Sequence, residues 1–155
     1  MQFYISRIEQ AARANKVSID FFSYTATFLN LGVGATAQTV VNISADSDFL
    51  WQRTALVVFT TPNVLNVAPD LLVSYVDTGS SRNLQDFPTH VANCTGTAAW
   101  PFVLPEAKLL RGNGGLQITV QNLSGIAQAR IDFCLHGIKI FYIASYSRDA
   151  LLSGF

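Results

Sequence analysis

The chain has 155 residues, is 13% charged and 50% hydrophobic, and sets 10 Lys plus Arg against 10 Asp plus Glu. A chain of this length builds one core, and a neutral balance leaves no basic field to collect nucleic acid or an anionic lipid surface. No window approaches the roughly 18 consecutive apolar residues of a membrane span, so the unusual apolarity, with 11 Phe, 5 Tyr and 2 Trp, points to contact with another protein chain.

Residues 1–20 differ from the rest. Arg7, Glu9, Arg13 and Lys16 are interspersed with Ile5, Ile8, Ala11 and Ala12, which suits a short helix with a narrow apolar stripe or an extended arm. So slim a stripe gives little hold on a core. We therefore expect an N-terminal arm that docks on a neighbouring chain, with the β domain, residues 21–143, starting near Phe21. Met1 to Lys16 also lacks the apolar centre of a signal peptide, so synthesis in a cytoplasm is expected.

From Phe21 to Leu29, Phe22, Tyr24, Ala26 and Phe28 alternate with Ser23, Thr25 and Thr27, the pattern of a half-buried strand. A glycine-containing loop at 32–35 leads to a second strand over Gln38 to Ser44, and Ala45 to Asp48 forms a polar corner. Phe49 to Thr61 is β-rich, and its run Ala55 to Phe59 suits a strand covered on both faces. Leu71 to Val76 alternates again until the turn Asp77 to Ser81. Pro88, Pro101 and Pro105 make Asn83 to Pro105 mostly irregular, with Phe87, Trp100 and Phe102 free to plug an end of the core. Glu106 to Arg111 is a short edge strand.

Gly115 to Ile143 carries the clearest pattern. Leu116, Ile118 and Val120 alternate with Gln117, Thr119 and Gln121, the stretch Asn122 to Gly125 interrupts, and Ile131, Phe133 and Leu135 resume. This reads as a β-hairpin whose second strand runs on through Ile138, Ile140 and Tyr142, with a bulge or close backbone approach at Gly137. The tail, 144–155, is either folded back or handed to a neighbour. About eight short strands with turns at this spacing predict an all-β, antiparallel β-sandwich, with a jelly roll first among its topologies.

Chemistry is hard to find in the chain. His90 and His136 lie far apart and suit structural hydrogen bonds. Asp46 and Asp48, with Ser44 and Ser47, lack the calcium-loop spacing and read as turn formers. Gly112 to Gly115 lacks the lysine of a phosphate loop, and no nucleophile elbow or zinc-protease motif occurs. Cys94 and Cys134 are expected as free thiols. We expect no catalytic residue, no cofactor and no metal. Candidate contacts with partners are Ile5, Ile8, Trp51, Trp100, Phe102, Tyr146, Leu151 and Phe155, chosen because aromatic and aliphatic side chains dominate interfaces.

At Ser44-Ala-Asp-Ser-Asp-Phe-Leu-Trp51, Pro101-Phe-Val-Leu-Pro105, Gln121-Asn-Leu-Ser124 and Leu135-His-Gly-Ile-Lys139, the chain resembles small virion proteins of tailed bacteriophages. The resemblance covers roughly Gln38 to Ile143. It implies a structural role without catalysis, foremost a capsid decoration or cement protein bound to the major capsid protein or other virion proteins. It also implies a homo-oligomer, trimer before dimer, located in the virion after synthesis in the host cytoplasm. A neck or tail component, or a carbohydrate-binding sandwich with Trp51, Trp100 or Tyr146 as stacking platforms, is the alternative.

Overall fold

The computed structural model describes residues 2–143 and 146–153, with side chains from residue 5 onward. The elements run α1 (Gln2–Arg13), β1 (Val17–Leu31), β2 (Thr36–Asn42), β3 (Asp48–Thr61), β4 (Val64–Leu65) and β5 (Leu71–Asp77). After these come β6 (Arg82–Asn83), β7 (Thr89–His90), a 3₁₀ turn at Val91–Asn93, β8 (Phe102–Leu110), β9 (Gly115–Asn122), β10 (Gln128–Tyr142) and α2 (Arg148–Ser153).

All pairings between named strands are antiparallel, and they divide into two sheets. In the first, β1, β10 and β3 lie side by side, with β8 and β4 on the far edge of β3; in the second, β2, β9 and β5 are followed by β6 and β7. Successive long strands therefore alternate between sheets, and the last two insert beside the first two. That order is the double Greek key of a jelly roll. The fold class expected from the sequence is the one observed.

The alternating residues of both sheets meet in one core. Ile131, Phe133 and Leu135 from β10 pack with Leu116, Ile118 and Val120 from β9, all fully buried. At this degree of burial each side chain contributes about 2 kcal/mol from apolar area removed from water. Phe49 meets Tyr24 edge to face at 4.9 Å, and Trp51 meets Tyr75 at 5.2 Å, the geometry aromatic quadrupoles favour.

The pairing of β9 with β10 expected from the sequence is not made. β9 lies between β2 and β5, whereas β10 lies between β1 and β3, so the turn between them is an arch from one sheet to the other. Asn122 makes the arch: its buried amide nitrogen donates to the carbonyls of Gly32 at 3.0 Å and Ile126 at 2.9 Å, and its oxygen accepts from Ser124 N–H at 3.0 Å. A turn of this composition closes a hairpin or an arch equally well, and alternation is the same in both. Each strand does hold a central place, as its apolarity requires.

Gly137 marks a change of cover. The register of β10 on β3 shifts there, from His136 opposite Arg53 to Gly137 opposite Trp51, leaving Gln52 as the extra residue on β3. A β-carbon at Gly137 would collide with the Leu50 carbonyl, so the close approach requires glycine. Before the bulge the apolar side chains of β10 face the sandwich; beyond it Ile138 and Ile140 face outward, into a second cluster with Leu50, Ala107 and Val17.

The termini cover that second cluster. Ile8, Ala11 and Leu151 are buried in it, and Ile5 and Tyr146 pack at its margin. This corrects the expected N-terminal arm: Gln2–Arg13 is a helix seated on its own sheet, and β1 starts at Val17, four residues ahead of Phe21. The stripe meets an outward apolar patch formed by Leu50, Ile138 and Ile140. β8 likewise begins at Phe102, earlier than the prolines suggested, since Pro105 falls within an irregularity between Val103 and Lys108 where ladder bonds to β3 are interrupted.

Candidate functional site

Of the residues chosen from sequence as partner contacts, five belong to the protein's own packing. Trp51 is 2% exposed, lies in the main core and donates its indole N–H to the Arg53 carbonyl at 3.0 Å. Ile8 and Leu151 are buried in the helix-covered cluster, and Ile5 is half-buried beside them. Tyr146 is half-buried too, its ring 5.2 Å from the Lys16 ammonium. Phe102 is half-buried opposite Thr54 at the start of β8. Only Trp100, 84% exposed, stands in solvent. Phe155 lies outside the described residues.

The polar residues singled out earlier are also committed. Asp48, 1% exposed, accepts from the Arg148 guanidinium, from Tyr142 O–H at 2.6 Å and from Gly112 N–H at 2.8 Å. Burial pushes its carboxyl up, and the bonds from Arg148, Tyr142 and Gly112 outweigh that, holding it below its ordinary value. Asp48 is therefore a buried anchor for α2 and not a turn former. Its two oxygens are spoken for, which removes it from any calcium loop. The Tyr142 hydroxyl is raised, by burial first and by its bond to Asp48 second.

His90 caps the 3₁₀ turn, accepting from Ala92 N–H at Nδ1 over 3.2 Å, while its Nε2 lies 3.2 Å from Asp70 Oδ1. His136 Nδ1 lies 2.7 Å from Ser23 Oγ, a cross-strand bond on the outward face of the first sheet. Both histidines thus fill structural bonds. The two cysteines are free, and burial pushes the Cys94 thiol up to about 11, which makes it a poor nucleophile at neutral pH. Among the described residues no three His, Cys, Asp or Glu side chains gather to hold a metal ion.

Among the described residues, two stretches of exposed apolar surface stand out. The first is a cleft of about 670 Å³ lined by Leu56, Val57, Leu65, Val67, Pro69 and Val91 among others. Its wall is the loop after the 3₁₀ turn, fastened to β3 where Leu56 N–H donates to the Gly96 carbonyl at 2.8 Å and Gly96 N–H to the Thr54 carbonyl at 3.2 Å. A β-carbon at Gly96 would strike the Trp100 carbonyl and the Phe102 nitrogen, so this glycine allows the loop to close tightly on its own return into β8. Val67, 86% exposed, lines the cleft, and Trp100 rises from the loop that walls it.

The second is β1. It is an edge strand of 15 residues, bound along one side to β10 continuously from Val17 to Leu29. Phe21 is 91% exposed and Leu29 65%. Neither was chosen from sequence, although the signal existed: Phe21 falls in phase with Ser23, Thr25 and Thr27, the outward set, and not with Phe22, Tyr24 and Ala26.

No family model matches the chain, and no curated protein does. Solved structures similar to it include the VP2 subviral particle of infectious bursal disease virus, with a TM-score of 0.37, 12% identity, and coverage of 84% of this chain and 34% of that one, and the structure of the Gx strain of the same virus, with a TM-score of 0.37, 13% identity, and coverage of 85% and 33%. The chain spans about a third of the length of those proteins. The jelly-roll assignment stands on the strand order given above.

Proposed function

We propose that this chain is a structural protein of a virus particle, and within that class a capsid decoration or cement protein of a tailed bacteriophage. In this role it binds the major capsid protein, stabilises the lattice, needs no cofactor and catalyses nothing. The observation that carries the reading is apolar surface that the fold leaves uncovered, in contrast to buried polar residues that are already bonded within the chain. Buried Asp48, Asn122 and Gln128 all have partners, whereas Val67 and Trp100 stand in water beside an apolar cleft. Exposed apolar surface of this kind marks protein–protein contact. The sequence resemblance to virion proteins of tailed phages supports the same reading. On a repeated lattice each copy needs only a modest patch, because many copies act together.

Quantitative mass spectrometry of purified particles tests the proposal. Hundreds of copies per particle are expected for decoration, about a dozen or fewer would move the protein to the neck or tail, and its absence from particles would overturn the structural reading. Trp100→Asp should abolish capsid binding while leaving the fold intact. A carbohydrate-binding role, its platforms reduced by the burial of Trp51, would replace this reading if a glycan array showed saturable binding that Trp100→Ala removed.

A further inference from the structure

We infer that two copies of this chain join through the free edges of β1, antiparallel about a two-fold axis at Thr25, to make one sheet continuous across a dimer. The inference concerns self-association and does not depend on the virion reading.

The argument starts from which backbone groups are free. Ile143 N–H donates to the Lys16 carbonyl at 3.0 Å, and the register then holds unbroken from Val17 opposite Tyr142 to Leu29 opposite Arg130, with Asn30, at φ 53°, interrupting the ladder before Leu31. In an antiparallel ladder the hydrogen-bonded pairs alternate. The even-numbered residues of β1 therefore bond β10, and the odd-numbered residues from Ile19 to Leu29 turn both N–H and C=O to the open side. Among the described residues no strand pairs with that side. Natural edges are usually blunted by lysine, proline or a bulge that interrupts the ladder. Here Val17–Leu31 contains no proline and no lysine, and its only charge is Asp20.

The sequence of the edge complements itself about one axis. With Thr25 opposite Thr25 of the second copy, Phe21 faces Leu29 and Ser23 faces Thr27, so the two most exposed apolar side chains of the strand cover each other. On the other face Phe22 meets Phe28 and Tyr24 meets Ala26. Asp20 falls opposite Asn30, so no like charges meet. All odd residues pair with odd residues, as hydrogen bonding across the axis requires, giving about ten main-chain bonds. Moving the register by two residues in either direction sets Phe21 against a threonine or past the end of the exposed run. Such a pair is isologous and closes at two copies, which departs from the three-fold assembly expected from sequence.

Sedimentation and light scattering of the full chain across a concentration series should show a mass rising from 16.9 kDa to twice that value. Phe21→Lys and Leu29→Glu should each weaken dimerisation by at least about tenfold, and the double variant should restore it, because the axis sets each lysine against a glutamate of the other copy. Within one chain those two positions are too far apart to pair, so restoration reports the register. Amide exchange of Phe21 to Leu29 at odd positions should slow as concentration rises. A monomer throughout the range, a dimer indifferent to both single variants, or a double variant weaker than either single one would overturn the inference.

Discussion

The outward face of the first sheet has two ends, and they are solved differently. Beyond the Gln52 bulge it presents Leu50, Ile138 and Ile140, and the chain's own helices close over them. On the other side of the bulge the same face carries a polar ladder: Ser23 beside His136, Thr27 donating to Asp132 at 2.7 Å, and Arg130 donating to Asp132 at 2.7 Å. Neither terminal helix extends over this ladder, and its apolar exceptions, Phe21 and Leu29 at the edge strand, stay exposed. The contrast shows that the termini go where the phase of the apolar residues changes, and that the surface available to other chains is what the termini leave.

The largest expected effect lies in the bond that fixes the covered end. Arg148→Ala leaves the Asp48 carboxylate buried without its guanidinium and should cost about 4 kcal/mol, read as a lower denaturant midpoint with little change in slope. Next comes the apolar contact beneath α1. Ile8→Ala removes a fully buried side chain from the second cluster and should cost about 3 kcal/mol. Were 1–20 a free arm, that substitution would be silent.

Acid should act on the covered end first. The Asp48 carboxyl is held below its ordinary value of 3.8 in the folded chain, so its contribution is complete above that value and is lost as pH falls through the lower folded value. Thermal unfolding followed between pH 7 and pH 2 should show an acid limb in the wild-type chain, flattened in Arg148→Ala. A limb of equal depth in both would place the acid sensitivity elsewhere.

The same contrast explains what could be read from the sequence. Alternation in β9 and β10 marked the core residues correctly, and Gly137 announced the close approach, because both are consequences of local periodicity and backbone space. The partner of each strand was not legible, since Asn122 serves an arch or a hairpin with the same side chain. Asp48 and Arg148 are a hundred positions apart, and nothing local distinguishes an anchoring aspartate from one that turns a loop. Trp51 was misplaced for a related reason: its burial depends on Tyr75 from the opposite sheet. The open surface was half legible, through the phase of Phe21 but not through the fold of the 91–100 loop.

The smallest effect is expected at the open end, where Ser23→Ala removes the hydroxyl bonded to His136. That bond is short, at 2.7 Å, but Ser23 is exposed, so water replaces the lost partner and neither group is left buried and unsatisfied. The net value of a hydrogen bond reflects what remains after such replacement, and an exposed substitution that touches no core should shift stability by no more than about 0.5 kcal/mol. Equilibrium denaturation measured beside Ile8→Ala makes the comparison direct. A loss at Ser23 as large as at Ile8 would mean that the polar ladder carries load, and the division of this face into a closed end and an open one would fail.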